Sequence, residues 1–179
     1  IIHVIKMSHA LALQGHNVVL HVRSEKFSSD ILFHIAEEYG IDPSFKVKAW
    51  KIGNFKGSCY IYGLLSGFYA WFSLSSCAYC RSLPASVVTS LLGIQTIVEL
   101  HQPLTSTQPA WFIFLLRRVW KYSRKVRFIT ITEALKKFLE SIYPEFRMLI
   151  KVAPDAADEH PLDVRPFICL QDDRKINVG

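Results

Sequence analysis

The stretch Thr96-Ile97-Val98-Glu99-Leu100-His101-Gln102-Pro103 decides how this chain is read. Its β-branched and apolar residues, bounded by turn formers and ended by Pro103, predict a buried strand. Side chains alternate along a strand, so Glu99 and His101 share one face while Val98 and Leu100 share the other. In an open α/β sheet, ligands bind beyond the carboxyl ends of the strands, and His101 stands at such an exit. A carboxylate beside an imidazole fixes the ring's tautomer and suits it to a phosphate-bearing substrate. The same pair also suits a plain lock on a strand end.

The flanking segments repeat the pattern. Residues 3–14 have Val4, Met7, Ala10 and Leu11 near helical spacing, with Gly15 as a C-cap. Asn17-Val18-Val19-Leu20-His21-Val22 then reads as a buried strand. Helices are expected over 28–39 and 60–74, and strands over 45–52 and 78–80. Pro84 opens a helix that Gly93 ends. Beyond the Thr96 strand come a basic aromatic helix (109–124), a strand (127–131), a helix (133–142) capped by Thr132, and a strand (149–152) closed by Pro154-Asp155. Strands alternating with helices at this spacing define an α/β fold: a Rossmann-like parallel sheet with helices on both faces. A helix followed by a strand is half of a β-α-β unit, so residues 1–165 read as one domain lacking its first strand. Residues 166–179 read as a connector and the opening strand of a further domain.

Composition narrows the class. Of 179 residues, half are hydrophobic and 13% aromatic, which excludes a disordered chain. The formal net charge of +6 favours an anionic partner, whether phosphate, lipid headgroup or nucleic acid. No nucleic-acid reading module accompanies it, so nucleic acid is not an expected partner. The four cysteines, Cys59, Cys77, Cys80 and Cys169, are too few and too irregular for a disulfide scaffold. With no signal peptide in view, a reducing compartment, the cytoplasm, is the simpler expectation.

Several constellations carry candidate chemistry. Arg81 closes Ala78-Tyr79-Cys80-Arg81-Ser82 at another strand exit, where a guanidinium can clamp a phosphate or a sugar hydroxyl, or simply pair with an acid. Thr132-Glu133 begins a helix at the same sheet edge, where free N–H groups favour anions. Cys77 and Cys80, three apart on a strand, face opposite ways, which argues against redox or zinc chemistry. Residues 57–80 carry no charge and are long enough to span a bilayer, yet their serines and glycines favour a helix buried in an α/β domain. Trp111 to Tyr122 joins apolar aromatics to six basic residues and no acid between Arg117 and Arg127. Such a segment suits an anionic membrane surface, or a core helix with a solvated basic end.

Taken in order, the pieces resemble the N-terminal domain of retaining glycosyltransferases of the GT-B fold, the family 4 or "group 1" enzymes. The resemblance rests on His3-Val4-Ile5-Lys6-Met7 through Gly15-His16-Asn17-Val18-Val19-Leu20 and on Tyr79-Cys80-Arg81-Ser82-Leu83-Pro84-Ala85. It continues with Val98-Glu99-Leu100-His101-Gln102-Pro103, Ile129-Thr130-Ile131-Thr132-Glu133-Ala134-Leu135-Lys136 and Val152-Ala153-Pro154-Asp155. It implies a two-domain enzyme that moves a sugar from a nucleotide-sugar donor to a glycan or glycolipid acceptor, in a cleft between the domains. His101 would be the catalytic residue, lying near the transferred sugar. Arg81, Glu99, Thr132, Glu133 and the loop 104–107, with Thr105 and Ser106, would bind substrate. No metal and no cofactor is implied, because the nucleotide-sugar is itself a substrate held mainly by the other domain. This domain alone is expected to be inert. The usual Asp-Gly after the final Pro is Asp155-Ala156 here, a departure from the family pattern. Alternatives are a non-catalytic sugar- or lipid-binding module and a GT-B sugar-nucleotide epimerase.

Overall fold

A computed structural model describes residues 2–23, 44–123 and 125–153. The helix expected over 28–39, the Pro154-Asp155 turn, the connector with its following strand, and Cys169 lie outside the described residues.

The described elements run α1 (Ile2–Leu13), β1 (Val19–Arg23), β2 (Lys46–Trp50), α2 (Ser58–Phe72), β3 (Cys77–Cys80), α3 (Leu83–Leu91), β4 (Gln95–Leu100), α4 (Leu104–Thr107), α5 (Ala110–Tyr122), β5 (Val126–Thr130), α6 (Glu133–Ile142), a 3₁₀ turn (Pro144–Leu149) and β6 (Ile150–Val152). All strand pairs are parallel and flanked by helices, the Rossmann-like arrangement that the sequence predicts. The sheet comes in two parts: β1 pairs with β2, and β3, β4, β5 and β6 pair in chain order. Two expectations need correction. Residues 104–107 form a one-turn helix rather than a loop, its turn closed by Ser106 and Thr107 hydroxyls that donate to the Pro103 and Leu104 carbonyls. The last strand begins at Ile150, because Pro144 starts a 3₁₀ turn that consumes Leu149.

The main core follows from strand alternation. Val98 and Leu100 of β4, Val126 and Phe128 of β5, and Ile150 of β6 point to one side. There they meet Leu83 and Val87 of α3, Leu116 and Trp120 of α5, and Leu135 and Leu139 of α6. Trp120, Phe128 and Phe146 lie within 6 Å of one another, ring to ring, in T-shaped and tilted contacts. Edge-directed aromatic packing of this kind adds specificity to simple burial. A smaller core joins Ile5 of α1 to Leu20 of β1 and Phe45.

Helix α2 departs from the buried helix that its uncharged sequence predicts. Its buried side chains are small: Ser58, Gly63, Ser66 and Gly67. Gly63 and Gly67 sit so close to α3 that a Cβ on Gly63 would lie 2.5 Å from Pro84 Cβ and 2.8 Å from the Ala85 nitrogen. On Gly67 it would lie 2.5 Å from Val88 Cγ1. Small residues permit this approach, and Ile61, Leu64, Leu65, Phe68, Trp71 and Phe72 face outward. α2 also holds β1, since the Tyr62 hydroxyl donates to the His21 carbonyl at 2.8 Å and Arg23 donates to Ser58 Oγ at 2.7 Å. Trp50 Nε1 donates to His21 Nδ1 at 3.1 Å, and Tyr69 meets the same imidazole edge-on.

Gly63→Ala should therefore destabilise the fold by about 1–3 kcal/mol, because the clash is with backbone that cannot swing aside. Urea unfolding measures this, and an unchanged midpoint would mean that the helices part freely. Burial, with the Lys48 ammonium second, holds the His21 imidazole below its ordinary value of 6.5. The unfolded chain then binds a proton the folded chain refuses, so stability is full above that value and falls as pH drops through it. Thermal midpoints taken between about pH 8 and about pH 5 should fall on the acid side, and less steeply in His21→Asn. An identical slope in the variant would assign the effect to other groups.

Candidate functional site

Parallel strands bring their carboxyl ends to one edge, and three sequence-predicted residues meet there. β4 ends at Leu100, so Glu99 is its last residue facing away from the main core and His101 follows on the same side. β3 ends at Cys80, which pairs with Val98, so Arg81 comes level with Glu99. His101 Nε2 and Glu99 Oε1 form a hydrogen-bonded pair. Arg81 Nε lies 3.8 Å from Glu99 Oε2. The Glu99 side chain is only 3% exposed, against 23% for His101 and 36% for Arg81. A carboxylate that deep is costly unless matched by hydrogen bonds and opposite charge, and the imidazole and guanidinium supply both.

The arrangement has directional chemistry. A carboxylate on Nε2 makes that nitrogen the proton-bearing one and leaves Nδ1 as the ring's other polar atom. A positioned imidazole and a half-exposed guanidinium on one strand edge can accept or donate to hydroxyl groups and balance negative charge that develops beside them.

The other sequence-predicted residues share the edge but have local employment. Thr132 follows β5, and its hydroxyl oxygen accepts from the Leu135 N–H at 3.1 Å, which makes it the N-cap of α6. Glu133 is exposed in the first turn of α6, complementing the helix dipole. Thr105 and Ser106 are exposed on α4, with Ser106 Oγ donating to the Pro103 carbonyl at 2.6 Å. Glu99, His101 and Arg81 thus form a contact cluster, whereas Thr105, Ser106, Thr132 and Glu133 join it by position along the edge.

Elsewhere, Cys77 is exposed and Cys80 buried, on opposite faces of β3 as strand geometry requires. Burial pushes the Cys80 thiol up to about 12, which keeps it protonated and unreactive. Among the described residues no group of three His, Cys, Asp or Glu side chains is placed to hold a metal ion. A shallow cavity of about 450 Å³ lies at the opposite, amino-terminal edge, lined by residues such as Trp71, Leu74, Gly93, Gln95 and Lys125. One part-exposed ion pair between α5 and the 3₁₀ turn escaped sequence reasoning: Arg117 Nη2 lies 2.6 Å from Glu145 Oε1, with the guanidinium 5.1 Å from the Tyr143 ring. The partners are 28 residues apart, with no local pattern to announce them.

The fold and this edge define the class of the protein: a Rossmann-like α/β domain with an imidazole–carboxylate–guanidinium cluster beyond its strand ends. No protein-family model, curated protein or solved structure matches the chain.

His101→Ala removes a hydrogen bond to a buried carboxylate and should cost about 1–3 kcal/mol. Arg81→Ala breaks a longer, solvent-screened pair and should cost about 1 kcal/mol or less. Guanidinium unfolding of the two variants gives the ranking, and the reverse order would make Arg81 the principal partner of Glu99.

Proposed function

We propose that this chain is the acceptor-side domain of a retaining glycosyltransferase of the GT-B type, which moves a sugar from a nucleotide-sugar to a glycan or glycolipid acceptor at the cytoplasmic face of a membrane. The observation that carries this reading is the Glu99–His101–Arg81 cluster at the carboxyl edge of a parallel sheet. A buried carboxylate holding an imidazole at a strand exit fits the residue order Val98-Glu99-Leu100-His101-Gln102-Pro103 on which the family resemblance rests.

In the proposed reaction the bond from anomeric carbon to diphosphate oxygen breaks, a bond from that carbon to the acceptor oxygen forms on the same face of the sugar, and the acceptor hydroxyl's proton passes to the departing diphosphate. His101 presents a polar ring atom beside the transferred sugar as positive charge develops on it. Glu99 orients that ring, and Arg81 engages acceptor hydroxyl or phosphate groups. The hydroxyl groups of Thr105 and Ser106 and the first turn of α6 at Thr132 and Glu133 line the acceptor side. Donors on the second domain stabilise the departing diphosphate, so this domain alone is inert. The locality of the Glu99–His101 pair, two residues apart, favours a second reading: a non-catalytic sugar- or lipid-binding module in which the pair only locks a strand end.

Turnover separates the two. In a protein carrying both domains, release of nucleoside diphosphate from a panel of nucleotide-sugars identifies the donor. His101→Ala should then lower kcat/KM by about 10²-fold or more, with unchanged circular dichroism. Normal turnover in that variant, or no turnover with any donor, would leave His101 a strand lock.

A further inference from the structure

We infer that the outward faces of α2 and α5 form a docking surface for an anionic lipid bilayer. In α5, Trp111, Phe114, Leu115, Arg118 and Tyr122 fall on one helical stripe, and Phe112, Ile113, Leu116 and Trp120 fall on the buried one. The helix is therefore apolar on both sides through its first two turns, the pattern of a helix enclosed all round. Yet Trp111 is 60%, Phe114 66% and Tyr122 70% exposed. α2 repeats the spacing with Ile61, Leu64, Leu65, Phe68 and Phe72, all exposed. The N-terminal ends of the two helices meet at Tyr60, whose half-buried ring lies 5.6 Å from Trp111 of the outward stripe and 5.2 Å from Phe112 of the buried one. An apolar surface built from two neighbouring helices is larger than the scattered hydrophobics of an ordinary surface.

Charge selects the occupant. Arg118 lies 6.0 Å from the Phe114 ring and 5.9 Å from the Tyr122 ring, and the Lys121 ammonium lies 6.0 Å from Tyr122. Among the described residues Arg118 forms no ion pair with an acid, Lys121 acts on Glu145 only as a more distant charge behind Arg117, and α5 itself contains no acid. Aromatic rings interleaved with cations at the border of an apolar surface match the interface between acyl chains and headgroups, where the rings sit at headgroup level and the cations meet phosphates. A second copy of this chain would bring like charges together, against a net charge of +6. Among the described residues no helix is long and apolar enough to cross a membrane, so the helices lie in its surface. This inference stands on the helix faces and not on the glycosyltransferase reading, although a bilayer-bound domain suits a lipid-linked acceptor.

Vesicle sedimentation tests it without any turnover assay. The 179-residue chain should sediment with vesicles of phosphatidylcholine mixed with phosphatidylglycerol, less with phosphatidylcholine alone, and progressively less as salt rises. The double variant Arg118→Glu, Lys121→Glu should bind anionic vesicles at least about tenfold more weakly. Phe114→Ser should lose about tenfold or more through its apolar contact. All three side chains are exposed, so matching thermal midpoints will confirm intact folds. Absence of binding to anionic vesicles at low salt would overturn the inference, as would equal binding by the variants. So would a dimer in solution that Phe114→Ser dissolves while vesicle binding stays absent. Activity lost in His101→Ala with vesicle binding retained would concern the site alone.

Discussion

The two-residue period of β4 is the constraint on which the rest of the molecule depends. One set of its side chains, Thr96, Val98 and Leu100, must be apolar or internally satisfied, because three helices close over it. Thr96 meets this demand by donating to Thr89 of α3 and to the Ile94 carbonyl. The alternate set is released from that core, so Glu99 can carry a charge within a strand whose other face is among the driest places in the protein. A register slip of one residue would drive the carboxylate into the aromatic cluster and Val98 out of it. The fold and the candidate chemistry are thus specified by one alternation.

Around that strand, close approach is achieved in two different ways. Over the main core, large side chains interdigitate, with Trp120, Phe128 and Phe146 filling the space between sheet and helices. At the α2–α3 crossing α2 contributes almost no side chain: its backbone meets the Pro84–Ala85 backbone at Gly63 and the Val88 side chain at Gly67. Such a crossing draws the two helices together without the large apolar side chains of α2, which leaves them free to face elsewhere.

That economy explains what the sequence disclosed and what it concealed. The strands were legible because Thr96 to Leu100 and Val126 to Thr130 combine β-branched composition with turn residues at both ends. Glu99, His101 and Arg81 were legible as a group because parallel pairing brings all strand exits to one edge. The orientation of α2 was not: hydrophobicity points to the large residues as the buried face, whereas steric fit buried the small ones. The helical turn at Leu104 escaped because serine and threonine favour turns and helix ends alike, and here their hydroxyls close the turn on their own carbonyls. The Arg117–Glu145 pair depends on tertiary packing of α5 against the 3₁₀ turn, which no local spacing encodes.

The division of the sheet carries a further consequence. Because β1 and β3 do not pair, the α1–β1–β2 unit meets the four-stranded sheet without a continuous ladder, and its described polar ties run through α2: Tyr62 to the His21 carbonyl and Arg23 to Ser58. Backbone ladders spread cooperativity, and a few side-chain ties spread it less. Separate opening of the two parts is the expected consequence, with amide exchange slowest in β4 and β5 and faster in β1 and β2. Sequence change can accumulate in the smaller unit while the edge that holds His101 keeps its geometry.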